Sequence, residues 1–430
     1  MNKKYHIITI GCQMNISDSE RLSSFLENEA WSFVENKEEA DLVIINTCGV
    51  KQMAEDRAYG LVNEIRKQKK DTKIIITGCL SRRKDVKRRL ISKVDWFLPI
   101  NDMYLIPTLL RGAEYQPYYS LDDYRKKNGE KYLQEYPKYH SSYSAYVPIG
   151  NGCNNFCTYC VVPYARGREV YRPASDIISE VKNLINKDYK EITLIAQNVN
   201  SYKDGDYNFA KLLKELSLLS GDFWLRFSSS HPKDMSDELI EVIGSNDKIV
   251  DHLHLALQSG DNEILRIMNR RYTIEHYKEL IKKIRVVKPN ISITTDIIVG
   301  FPGESKEQFN NTIKNFKEIG FEMAYISQYS PRPGTASIKI NDDVSSEEKK
   351  RRFDVLNKIL SECAIKGNKK YLDKQVRVLI DGKNKKGKYY GKTSSFKTVL
   401  ITTDKDLNIG DFVDIKIKKA LAFGIEGEII

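Results

Sequence analysis

The stretch DLVIINTC, residues 41–48, decides how the N-terminal part of this chain folds. Leu42 to Ile45 form an unbroken aliphatic run with the length and β-branched content of a strand buried on both faces. The same pattern recurs in HIITIGC, residues 6–12, and KIIITGC, residues 73–79, so strands are predicted at Tyr5 to Ile10, Leu42 to Ile45 and Lys73 to Thr77. Helical stretches at Ser17 to Glu29 and Met53 to Lys69 lie between them. Strand and helix alternation predicts a parallel-sheet α/β domain over residues 1–118. Each run ends in a cysteine: Cys12, Cys48 and Cys79. The strand ends of a parallel sheet share one edge, so these three thiols can converge.

Working outward, the alternation resumes downstream. Strand candidates at Ile192 to Ala196, Phe223 to Ser228, His252 to Leu257, Ser292 to Val299 and Met323 to Ser327 alternate with helical stretches such as Ala174 to Ile185 and Glu304 to Ile319. Residues 139–369 are therefore expected to form a partial (β/α) barrel whose active site lies at the C-terminal strand ends. Ser345 to Leu372 reads as a long amphipathic helix, with Cys363 on its apolar face as a packing residue. The tail, residues 372–430, alternates with period two in VRVLID, YYGKT, TVLITT and FVDIKIKKA, which predicts a small all-β barrel. The nine tyrosines between Glu114 and Tyr146 mark an irregular connector whose aromatics pack on neighbouring domains. Three domains suit a length of 430 residues, at roughly 150 residues each.

With 41% hydrophobic and 30% charged residues the composition is globular. No run of about 18 apolar residues exists, and the start, MNKKYHIITIGCQMN, lacks the apolar core of a signal peptide. A secreted or membrane-spanning protein is thereby excluded and a cytoplasmic location expected. Reducing conditions there leave seven cysteines that need another explanation than disulfides. The net charge of +11 points to an anionic partner.

Cys153-Asn-Asn-Phe-Cys157-Thr-Tyr-Cys160 has the spacing CxxxCxxC with no fourth ligand nearby. Structural zinc takes four closed ligands, so three thiolates in one loop fit an iron–sulfur cluster with one open iron. Such an iron can bind S-adenosylmethionine and cleave it reductively. Gln197 and Asn198, after one strand, and Asp296 and Gly300, in DIIVGFPGE, are candidate cofactor contacts, although a glycine–proline turn alone is commonly just a turn. Cys12, Cys48 and Cys79 are either three packed small residues or a second three-ligand site, and the downstream motif favours the second. Six lysines without an acid between Lys383 and Lys397, interleaved with aromatics, suggest RNA contacts by Lys385, Lys386, Lys388, Tyr390 and Lys392. A solvated charged hairpin is the alternative. The Arg166/Arg168 and Arg270/Arg271 pairs read equally well as phosphate contacts or ion-pair residues.

GCQMN, NTCGV, TGCL and GCNNFCTYCVVPYARGREV together resemble the methylthiotransferase family of radical S-adenosylmethionine enzymes, over essentially the whole chain. QNVNSY and TDIIVGFPGE are most similar to the branch that modifies N6-dimethylallyladenosine in tRNA, next to the anticodon. The β tail resembles that family's RNA-binding TRAM domain. Ala196 and Tyr171 stand where the branch usually has glycine and serine. The resemblance implies two 4Fe–4S clusters, a radical-generating one on Cys153, Cys157 and Cys160 and an auxiliary one on Cys12, Cys48 and Cys79. It further implies S-adenosylmethionine as cofactor and methyl donor, the tRNA anticodon loop as partner, an electron donor such as flavodoxin or ferredoxin, and a monomer. The alternatives are the same chemistry on threonylcarbamoyladenosine or on a ribosomal-protein aspartate, or a non-catalytic iron–sulfur protein that binds RNA.

Overall fold

The computed structural model describes residues 3–50, 52–116 and 131–430. In the N-terminal unit, strands β1 (Lys3–Thr9), β2 (Trp31–Phe33), β3 (Leu42–Thr47), β4 (Lys73–Gly78) and β5 (Trp96–Phe97) form one parallel sheet in the order β2-β1-β3-β4-β5. All six residues of β3 are buried, as expected for the middle strand of a sheet covered on both faces. The helix Gln13–Asn28 packs on one face with Leu22, Phe25 and Leu26, and the helix Gln52–Gln68 covers the other with Ala58, Val62 and Ile65.

The central unit comprises β6 (Ser144–Pro148), the short pair β7 (Gly150–Asn151) and β8 (Val170–Tyr171), β9 (Glu191–Ile195), a small hairpin of β10 (Lys203–Asp204) and β11 (Tyr207–Asn208), then β12 (Trp224–Phe227), β13 (His252–His254), β14 (Ser292–Val299) and β15 (Met323–Gln328). Parallel ladders join β12-β9-β6 and β13-β14-β15. Single bridges from Leu225 to Ile249 and from Ser230 to Leu255 stitch the two sheets together. The result is the expected partial barrel of parallel strands, with helices such as Ala174–Asn186 and Ile274–Val287 outside. The described part of the connector is largely irregular, and its aromatics pack on the neighbouring units as expected, Tyr115 and Tyr132 on the N-terminal core and Tyr139 on the central one; its end, Ser144 to Tyr146, begins β6. Tyr118, Tyr119 and Tyr124 of that connector lie outside the described residues.

The helix Ser346–Lys369 leads to a closed barrel in the order β16-β17-β18-β20-β19, made of β16 (Gln375–Lys383), β17 (Tyr389–Thr393), β18 (Thr398–Thr402), β19 (Phe412–Leu421) and β20 (Gly424–Ile429). Closure between β16 and β19 leaves no open edge in this small sheet. Val378, Ile380, Val399, Ile401, Ile415 and Ile417 fill it.

This small barrel docks at the N-terminal ends of the central strands. Trp224 meets Phe412 with ring centroids 4.7 Å apart, beside Val250 and the fully buried Leu379. Around that apolar contact Glu191 accepts from Arg226 at 2.5 Å and lies 2.8 Å from Lys392, and the Arg226 fork also donates to the carbonyl oxygens of Thr393 and Ser394. The N-terminal unit is held by a second buried cluster: Arg21 and Arg172 both pair with Glu180, at 3.1 and 2.6 Å. Both junctions are thus salt-bridged through carboxylates that are themselves fully hydrogen-bonded, the condition under which buried charge is tolerated.

Candidate active site

Register alone brings the first three cysteines together. Asn46 stands opposite Thr9 and Thr47 opposite Gly78, so Cys48 and Cys79 leave their strands level with each other. Ile10 and Cys79 each extend the ladder by one amide, to Asn46 and Thr47 oxygens at 2.8 Å. Gly11 turns the chain at φ 141°, backed so closely on Cys48 that a Cβ there would sit 2.8 Å from the Cys48 Cβ. Cys12 then caps the helix Gln13–Asn28, its amide and thiol both directed to Asn15 Oδ1 at 3.3 Å. Cys48 receives a backbone amide, Val50 N–H to Sγ at 3.4 Å. Cys12 keeps contact with solvent although protein atoms surround most of it. That crowding, opposed by the Arg166 charge and reinforced by the Cys79 sulfur, pushes its thiol up from the usual range.

The second set is local. Between β7 and β8, whose pairing closes the loop, Cys153 N–H donates to Gly167 O at 3.0 Å. Gly152 has φ 86°, and a Cβ on it would fall 2.1 Å from Arg168 O, so only glycine fits. Thr158 and Asn269 tie the loop to the segment after the helix Asn262–Ile267, through Thr158 N–H to Met268 O and the Asn269 amide to Asn155 and Phe156 oxygens. Burial pushes the Cys153 thiol up to about 11, and burial next to Cys157 raises Cys160 further. Arg270 donates to Cys157 Sγ at 3.5 Å.

The two sets face each other. Gln13, beside Cys12, accepts from Ser228 just past β12 at 3.1 Å, and Arg332, just past β15, donates to Val50 O and Gln52. A Cβ on Gly49 would lie 3.3 Å from Cys79 Cβ and 3.6 Å from Val161, next to Cys160. The C-terminal edge of the sheet therefore covers the C-terminal mouth of the barrel, with all six cysteines at the seam.

Three thiols each, with amide and guanidinium donors on sulfur, fit an iron–sulfur cluster. Among the described residues no three Cys, His, Asp or Glu side chains are placed to hold a single metal ion. A cubane does not ask for that, since each thiolate takes a separate iron. At the barrel mouth Asn198 is buried with its amide on Asp234 at 2.7 Å and its Oδ1 without a partner. Asn151 Nδ2 and Ser230 Oγ are orphaned close by, past the neighbouring strands. Buried polar atoms of this kind are costly unless a ligand satisfies them.

The remaining candidates are distributed as follows. Gln197 supports the cysteine loop, accepting from Gly152 N–H at 2.5 Å. Asp296 faces the mouth at the end of a chain inside the barrel: His252 Nε2 to Thr294 Oγ1 at 3.0 Å, Thr294 to His254 Nδ1 at 3.0 Å, His254 Nε2 to Asp296 Oδ2 at 3.1 Å. If His254 donates to the carboxylate, Thr294 must donate to its other nitrogen and accept from His252, which fixes both tautomers. Burial and the nearby Arg226 charge hold His252 neutral. Gly300 is already committed, with its amide on Glu304 at 2.7 Å and the Lys349 side chain packed over it. Neither Arg166 nor Arg270 is a surface phosphate contact: both are buried, Arg166 on Asp18 at 2.6 Å.

Of the expected RNA residues, Lys385, Lys386 and Lys388 are exposed in the β16–β17 turn, and Tyr390 is half-buried against Gly382. Lys392 is a correction. It lies on the face of β17 that meets the central barrel and is spent on Glu191 and Asp381. Tyr389 belongs to the small barrel's core, and Phe396 stacks on His252 at 4.9 Å while 41% of its surface stays exposed. The sequence reading also missed Arg332, whose position 282 residues from Val50 gives no local signal.

Comparison with known proteins agrees with this division. Residues 147–316 match the Radical SAM superfamily, 4–98 the Uncharacterized protein family UPF0004, and 369–430 the TRAM domain. A tRNA-2-methylthio-N(6)-dimethylallyladenosine synthase from Clostridium tetani is 42% identical over 99% of this chain and 96% of its own. One from Clostridium novyi is 41% identical over 100% and 97%. Among solved structures, the radical S-adenosylmethionine methyltransferase TsrM from Kitasatospora setae superposes with TM-score 0.56 at 13% identity, over 78% of this chain and 77% of that one, a likeness of fold.

Proposed function

The chain belongs to the tRNA-2-methylthio-N(6)-dimethylallyladenosine synthase family of radical S-adenosylmethionine enzymes, and on that premise we propose how its residues divide the work. It is a tRNA methylthiotransferase that acts on N6-dimethylallyladenosine, binds tRNA, and uses an iron–sulfur cluster and S-adenosylmethionine. In this reading Cys153, Cys157 and Cys160 hold a radical-generating 4Fe–4S cluster, and Cys12, Cys48 and Cys79 hold a second. When bound, these groups supply one-electron cleavage of S-adenosylmethionine and the sulfur that is methylated and delivered to C2 of the adenine.

The protein's own part is placement. Arg270 and the Val50 amide stabilise bound thiolates; Gln197 fixes the cysteine loop through Gly152. Asn198 offers its unpartnered Oδ1 to the polar end of the cofactor, and the His254-anchored Asp296 presents a carboxylate at the mouth. Lys385, Lys386 and Lys388 contact phosphates of the anticodon arm, and Tyr390 flanks them. A one-electron carrier such as flavodoxin or ferredoxin feeds the radical site. Because one chain supplies both cysteine sets, a monomer suffices, working in the cytoplasm where thiols stay reduced.

The observation that carries the two-cluster reading is the seam itself: strand register levels Cys48 with Cys79 directly against the loop of Cys160. Anaerobic reconstitution should load about eight irons per chain. About four would leave only one cluster. Nucleoside mass spectrometry of tRNA from cells lacking the protein should show the 2-methylthio group missing from dimethylallyladenosine. Loss from threonylcarbamoyladenosine instead would reassign the substrate.

A further inference from the structure

The most basic stretch outside the tail adjoins the dispersed cysteine site. Residues 82–89, RRKDVKRR, hold six arginines and lysines against one acid, Asp85. They begin three residues after Cys79 and run through the short helix Lys84–Leu90, back from the sheet edge at which Cys12, Cys48 and Cys79 meet. Arg83 is neutralised by Glu55 and Asp85, and Arg89 lies over the Tyr59 ring at 4.0 Å. Among the described residues Lys84, Lys87 and Arg88 have no ion-pair partner, and Lys84 and Arg88 are exposed. Lys87 is half-buried, and burial together with the Arg82 charge lowers its pKa. Lys84 has Lys87 and Arg88 as neighbours one helical turn on, and Asp85 is taken up by Arg83, so an anion bound beside them would relieve their mutual repulsion.

We propose that Lys84, Lys87 and Arg88 form a phosphate-binding surface that holds the RNA backbone beside the Cys12/Cys48/Cys79 edge. The inference rests on the reading of tRNA as substrate. An RNA strand suits the place better than an acidic electron carrier does, because the base must reach this edge to receive its sulfur. Each phosphate neutralised releases condensed counterions, so the surface should be visible as a salt dependence and not merely as an affinity.

The experiment compares the reconstituted full-length protein with its K84Q/K87Q/R88Q variant, titrating unmodified substrate tRNA at several salt concentrations. Three lost contacts should reduce the slope of log K against log salt by about two and weaken binding on the order of tenfold at 0.15 M salt. Iron content and tRNA-independent cleavage of S-adenosylmethionine should stay unchanged, which reports an intact fold. Should the variant fold poorly, acetylation of the unaltered protein gives the same answer: tRNA should protect Lys84 and Lys87. An unchanged slope, or no protection, overturns the proposal while leaving the substrate assignment standing. If the parent protein shows no salt-dependent tRNA affinity, the substrate reading falls and this surface with it. Normal tRNA binding with impaired reduction by an acidic carrier protein would assign the patch to the reductant and overturn the proposal.

Discussion

Cys48 and Cys157 carry the same thiol but, on the proposed two-cluster reading, would serve sites of different duty. Cys48→Ala should roughly halve the iron and abolish methylthiolation while leaving reductive cleavage of S-adenosylmethionine, whereas Cys157→Ala should abolish both. Iron analysis with product quantification distinguishes them, and equal loss of cleavage in the two variants would contradict the division of labour. At this scale the sequence singled out the six cysteines as candidates, because the CxxxCxxC spacing and a strand terminus are local signals. It was silent on the groups that act on sulfur. Arg270 lies 113 residues from Cys157, and nothing in Asn269-Arg270-Arg271-Tyr272 separates a sulfur donor from a phosphate contact. Lys392 failed for a related reason: a charge count cannot tell which face of β17 is docked.

Among elements, each junction buries one doubly paired carboxylate, Glu191 towards the small barrel and Glu180 towards the N-terminal unit. Burial alone would raise the pKa of Glu191, but Arg226 and Lys392 outweigh it and hold the group below the ordinary carboxylate value; Arg21 and Arg172 do the same for Glu180. A depressed folded-state pKa contributes stability that is complete above the unfolded value, near 4.5, and is lost as pH falls from there through the folded value. Thermal unfolding between about pH 3 and 6 should therefore show a steep acid-side loss. Glu191→Gln should destabilise the neutral-pH protein by about 3 kcal/mol, since two cations are left facing a neutral amide, and should flatten part of that acid dependence. An unchanged melting temperature would mean that the docking is carried by the other contacts, among them Trp224 on Phe412 and Arg377 on Asp222. Long, strongly patterned elements were legible, as β3, β14 and the helix Ser346–Lys369 illustrate. Edge strands β2 and β5, of three and two residues, were not, nor was β20, whose GIEGEI carries too few apolar residues to show alternation.

For the whole molecule, the small barrel covers apolar surface of the central unit around Trp224 and Val250. Deleting residues 373–430 should weaken tRNA binding and expose Trp224 and Val250, so that the truncated chain aggregates while iron content per folded chain is kept. Binding assays beside light scattering would check both parts, and undiminished tRNA affinity would move RNA recognition elsewhere. The three-part architecture was readable because each part changes its hydrophobic period. Its assembly was not, because pairs such as Arg21 with Glu180, 159 residues apart, leave no trace in local pattern. The same contrast between local and distant governs how the protein matures. One cysteine set lies within a single loop, residues 153–160, whereas the other needs three strands spread over residues 3–78 to be in register first. As a chain emerges N-terminus first at about 5–20 residues per second, that sheet can close before the loop has been synthesised. On the proposed two-cluster reading the dispersed site would be ready first, and because metal binding is coupled to folding, it would also be the first to release its iron when the sheet loosens.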